Sequence, residues 1–139
     1  MNNTFDYIYQ NIFGRGFYDS HTAFSDDLFK ESLYFSIGLT TLIVSIFFCI
    51  SFYYIINRPS FSKWYHWIIV GIINFIVCSA IGYFISYDTL NSLLPDIYPL
   101  SDYIGFALLN GVISTAYYIF AMFIFRWWSS NAKTTPFPH

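Results

Sequence analysis

Charged residues disappear from three long stretches of the chain and gather in the segments between them. Ser32 to Asn57, Trp64 to Tyr87 and Ile104 to Phe125 contain no Asp, Glu, Lys or Arg. Each exceeds the roughly 20 residues needed to cross a bilayer's hydrocarbon core. Helices are the expected form, because an open strand at that depth leaves backbone groups unpaired in lipid. That requirement outweighs the β-branched and aromatic content of the stretches, which favours strands in water. The pattern predicts an all-α integral membrane protein: three transmembrane helices plus a short N-terminal amphipathic interfacial helix.

The intervening segments complete the organisation. Phe5, Ile8, Tyr9 and Ile12 recur at helical spacing, with Asp6, Gln10 and Asn11 off that face and Gly14 and Gly16 interrupting it. This predicts a helix lying in the membrane interface. The same stripe also suits packing on a partner protein. Ser25 followed by Asp26 and Asp27 reads as a helix start, so the first spanning helix is expected to run unbroken from there for about 32 residues, roughly 48 Å. Asp88 to Tyr103, with Pro95, Pro99 and three acids among apolar residues, is expected to be a docking or re-entrant element. The expected division is an N-terminal extracytoplasmic segment over 1–31, a transmembrane domain over 32–129 with spans at about 32–57, 64–87 and 104–128, and a short cytoplasmic tail over 130–139.

Charge sets the expected orientation. All eight acids lie in the N-terminal region or the second loop, whereas the first loop carries Arg58 and Lys63 and the tail region Arg126 and Lys133. Basic residues in short loops mark the cytoplasmic side, which places the N-terminus outside and the C-terminus inside; Arg15 and Lys30 run against the trend. Trp64 and Trp67 at the start of the second span, and Arg126, Trp127 and Trp128 at the end of the third, then act as anchors at one headgroup level. Composition agrees: 56% of residues are hydrophobic and 10% charged, against about 25% charged in a soluble domain. The net charge of −2 gives no reason to expect a nucleic-acid partner. A preference for Asn, Ile, Phe, Tyr and Ser suits an AT-rich bacterial genome, and the cell inner membrane is the expected location.

Within the spans, small and polar residues recur at three- and four-residue steps: Gly38, Thr41, Ser45 and Cys49; Gly71, Asn74, Cys78, Gly82 and Ser86; Ala107, Asn110 or Gly111, Ser114 and Ala121. Such stripes let helices approach closely and bond across the interface. Asn74 and Asn110 are the costliest, since an amide left unpaired in hydrocarbon loses several kcal/mol. Counting 1.5 Å per residue puts Asn74 near the midplane and Asn110 roughly 9 Å toward the outside. They are therefore not expected to pair with each other. Asn74 is level with Ser114 or Tyr117, and Asn110 with Cys78 to Gly82. Tyr117 and Tyr118, inside the third span, need hydroxyl partners and join the expected polar seam.

Catalytic chemistry finds little support. Cys49 and Cys78 lie on different helices at different depths, no disulfide is expected, and the three histidines stand at no ligand spacing. No G-x-S-x-G elbow or lysine-paired serine is present, and no in-span carboxylate offers a proton path. No cofactor or metal is expected. The expected role is a non-catalytic membrane subunit that anchors or scaffolds a larger bacterial envelope complex, its partners being the bilayer and other membrane subunits or further copies of itself. A small homo-oligomeric channel or pore-forming effector is the alternative, and a membrane immunity protein a further one.

Overall fold

The computed structural model describes residues 4–12, 18, 23–56, 63–93 and 95–128, and among them every regular element is helical. α1 (Thr4–Tyr7) opens into a π turn over Ile8–Ile12, α2 spans Ala23–Lys30, α3 Leu33–Ile50, α4 Trp64–Leu93 and α5 Leu100–Phe125. The last turns of α3 widen to π geometry over Ser51–Ile56, and a 3₁₀ turn at Arg126–Trp128 closes α5. α3 with its extension, α4 and α5 are each long and apolar enough to cross a membrane. Gly14, Arg15, Gly16, Arg58, the 130–139 tail and the side chain of Trp128 lie outside the described residues.

Residue pairings give the topology. Thr41 meets Asn110, Ser45 meets Ser114 and Tyr54 meets Phe125, so α3 and α5 run parallel. Asn74 meets Ser114 and Cys78 meets Asn110, so α4 runs against both. The bundle has two unlike ends. Asp6, Asp26, Asp27, Glu31, Asp88, Asp96 and Asp102 collect with Lys30 at the acidic end, while Lys63, Trp64, Arg126 and Trp127 mark the tryptophan end.

Two expectations are corrected. The first spanning helix does not continue through from Ser25: the chain breaks at Glu31 and Ser32, where Ser32 takes a left-handed conformation with φ 56°. Nine residues of straight helix separate Ser25 from Tyr34 by roughly 13 Å. The break folds α2 back until their hydroxyls lie 2.8 Å apart. Ser25 is consequently a buried member of α2 and not its cap. Likewise, most of 88–103 is not a loop. α4 continues to Leu93, and α5 begins directly after Pro99, whose fixed φ of −67° suits a helix start.

Rings dominate the acidic end. Phe106 sits among Tyr9, Tyr18, Phe24 and Tyr34, with centroids 5.4 to 6.3 Å away. Tyr18 and Tyr34 share a 2.7 Å hydrogen bond. These edge and stacked contacts tie the N-terminal segment, α2, α3 and α5 into one cluster. A smaller cluster of Cys49, Phe52, Tyr53, Tyr118, Ala121 and Met122 fills the tryptophan end. Between the two lies a polar layer.

Candidate functional site

The layer is assembled by the small-residue stripes. Thr41 and Ser45 from α3, Asn74 and Cys78 from α4, and Asn110 and Ser114 from α5 are all fully buried. Their helices can meet there because the facing positions lack bulk. A Cβ on Gly82 would stand 3.0 Å from Asn110 Cβ and Nδ2, and one on Gly111 would overlap Ser79 Oγ and approach the Phe75 ring to 2.8 Å.

Asn110 is the hub. Its Nδ2 donates to the Cys78 carbonyl at 2.7 Å and to Thr41 Oγ1 at 3.0 Å. Its Oδ1 accepts from Thr41 Oγ1 at 3.1 Å and from the Tyr9 hydroxyl. Both amide protons and both lone pairs of the carbonyl are thus engaged. One side chain joins α3, α4, α5 and the N-terminal segment. A second node lies one turn farther along α5. The Ser114 carbonyl accepts from Asn74 Nδ2 at 3.2 Å and Ser45 Oγ at 3.3 Å, while Cys78 Sγ donates to Asn74 Oδ1 at 3.6 Å. Ser114 Oγ in turn donates to the Gly111 carbonyl at 2.7 Å.

The two asparagines therefore occupy different nodes, each on the level counted from helical rise. Gly82 and Gly111 supply the close approaches, and Gly71 lies farther toward the tryptophan end, facing the Tyr118 ring. Tyr117 is not drawn in: its hydroxyl has no hydrogen-bond partner among the described residues. Tyr118 turns away from the seam and donates to the Trp67 carbonyl at 3.3 Å. Tyr9 is the member that sequence reasoning missed. Its place on an amphipathic stripe suggested an interfacial ring, whereas Tyr9 and Phe5 reach into the bundle, Phe5 seating against Gly38. A phenol within a stripe otherwise made of Phe and Ile was the available signal, because a buried hydroxyl demands a partner.

At the tryptophan end, Trp64 and Trp127 are exposed and Arg126 lies 5.3 Å from the Trp127 ring centroid. Trp67 is half-buried and packs on Tyr118 with centroids 5.5 Å apart, so it braces α4 on α5. Both cysteines are free and buried. Among the described residues, no three His, Cys, Asp or Glu side chains stand together as a metal site.

At the acidic end Asp27 accepts hydrogen bonds from the Tyr98 hydroxyl and from Lys30 Nζ, the latter at 2.9 Å. These donors, Tyr98 foremost, hold the Asp27 carboxyl below its ordinary range. The bond ties α2 to the turn between α4 and α5.

Chemically, the seam is a lock. Its side chains are partnered within the chain and shut away from the surface, an arrangement that fixes register and rotation between helices for which lipid offers no preference. The geometry defines the class: an all-helical, multi-pass membrane protein built on three spanning helices with a short N-terminal helix packed against them. Comparisons with protein-family models, with curated proteins and with solved structures gave no match.

Proposed function

We propose that the chain is a non-catalytic integral subunit that anchors or scaffolds a larger assembly in a bacterial inner membrane, with the acidic end outside and the tryptophan end in the cytoplasm. The observation that carries this reading is exposed apolar surface at the acidic end, around the turn past the last residues of α4. From Trp64 to Leu93, α4 extends about 45 Å, as long as a bilayer with its headgroups is thick. Leu93, Ile97 and Leu100 nevertheless remain exposed around the turn that follows, 52%, 58% and 56% accessible. Exposed apolar side chains gathered at such a turn support a protein-binding role.

The inward turn of the seam supports the same role over a channel. The outward faces of the spans carry Phe35, Leu39, Ile43, Ile72, Ile76 and Phe120, side chains that pack against lipid or other helices. A pore built from several copies needs polar side chains directed between copies. Purification in mild detergent followed by mass spectrometry tests the proposal. Foreign subunits are expected to co-purify and to be released by Ile97→Asp, with the helical content of the chain unchanged. A homo-oligomer without foreign subunits that conducts ions in planar bilayers overturns it.

A further inference from the structure

A groove of about 240 Å³ lies between α4 and α5 near the tryptophan end, walled by Trp67, Gly71, Ile72, Phe75, Thr115 and Tyr118. It exists because Gly71 has no side chain, leaving the nearest Tyr118 ring carbon 3.4 Å from where a Cβ would stand. Two of its polar groups are engaged elsewhere, Thr115 Oγ1 donating to the Gly111 carbonyl at 3.0 Å and the Tyr118 hydroxyl to the Trp67 carbonyl, while the Trp67 indole Nε1 is buried without a hydrogen-bond partner among the described residues. The walls that remain are apolar. Along α4 the groove runs from Trp67 to Phe75, about 12 Å, a narrow slot parallel to the helices.

The charge at its mouth selects the occupant. Lys63 stands immediately before α4 at this end, exposed, with its Nζ 5.7 Å from the Tyr65 ring centroid. Arg126 lies at the same end, in the 3₁₀ turn that closes α5. All the acidic side chains of the described residues are at the opposite end. Trp64 and Tyr65 open α4 at the same end, rings of the kind favoured where headgroups begin. An apolar slot at the basic end of the bundle complements a lipid with an anionic head and a straight tail. A second copy inserted in the same direction would bring its own Lys63 and Arg126 to that level and no countercharge.

We propose that this groove binds one acyl chain of an anionic phospholipid, its phosphate held at the Lys63 end. The site is independent of the assembly proposed above and would serve the isolated chain equally. The test reconstitutes the protein with equal amounts of phosphatidylglycerol and phosphatidylcholine, extracts it in mild detergent, and counts retained lipids by native mass spectrometry. One phosphatidylglycerol per chain is expected to survive extraction. Gly71→Leu, which fills the slot, should lower its retention at least ~5-fold, and Lys63→Gln should bring the two lipids within about 2-fold of each other.

Gly71→Ala keeps ordinary contact with Tyr118 and should give an intermediate loss with the fold intact, while Ala116→Leu on the exposed face of α5 should change nothing. Equal retention by wild type and Gly71→Ala together with Gly71→Leu overturns the site. Equal retention of both lipids by wild type overturns the headgroup assignment. A dimer that Gly71→Leu dissociates overturns the lipid as occupant.

Discussion

α4 and α5 are neighbours of similar length, and the more apolar of the two is the less buried. Over their most apolar stretches 44% of α5 lies inside the protein against 17% of α4. α5 turns Ala107, Asn110, Gly111, Ser114 and Ala121 inward, while α4 exposes Ile68, Ile69, Ile72, Ile73 and Ile76 and buries a stripe from Asn74 to Leu90. In water this arrangement would be inverted. In lipid an isoleucine gains nothing by leaving the solvent, so apolarity carries no information about what is central. Close approach and hydrogen bonding decide it, and α5 supplies more of both.

The contrast can be broken most sharply where a glycine lets the two helices approach. Gly82→Leu drives a side chain into Asn110 and is expected to cost about 3 kcal/mol, at the upper end for overpacking a core, read as reversible unfolding in detergent or bicelles. Next is the hub. Asn110→Leu removes bonds to three other segments and should cost about 2 kcal/mol, against about 0.6 kcal/mol for Asn74→Leu, which loses one interhelical bond. Pairing Asn110→Leu with Tyr9→Phe in a double-mutant cycle should show coupling of about 0.6 kcal/mol; additive effects would mean that Tyr9 does not engage the hub. Ile76→Ala on the outward face of α4 should shift stability by less than about 0.5 kcal/mol. A cost comparable to that of Asn110→Leu would show that this face is packed against protein.

The smallest effect lies outside the spans, where water lets charge matter. Because the folded-state pKa of Asp27 is depressed, its contribution is fully present above the ordinary aspartate value of about 4 and is lost as pH falls through the folded value. Acidification should loosen the contact between α2 and the turn bearing Tyr98. Amide exchange in that turn, corrected for intrinsic rates, should accelerate below pH of about 4 in wild type. In Asp27→Asn it should be fast at every pH.

Why some features were legible in advance follows from how far each constraint acts along the chain. Spans depend on local composition, and the stripes follow from the helical period. The levels of Asn74 and Asn110 follow from a constant rise per residue once three antiparallel crossings are assumed. Other features have no local signature. The break at Ser32 uses a left-handed serine that sequence preference disfavours, and it is justified only by Ser25 and Phe24 reaching Tyr34 and Phe106 across the fold. The helical extent of 88–103 was hidden by its prolines and acids, which also suit the turn at 95–99 and the first turn of α5.

By itself the sequence determined that three helices with long uncharged stretches cross a bilayer and which of their faces are small enough to meet, because lipid demands internal backbone pairing and the helical period orders the faces. Tertiary structure alone decided that Asn110 gathers the N-terminal π turn, α3 and α4 around α5, that Tyr9 enters the bundle, and that Tyr117 does not join the seam. A side-chain hydrogen bond depends on angle and distance in space between segments as far apart as Tyr9 and Asn110, and no periodicity along one helix encodes the direction in which another will point.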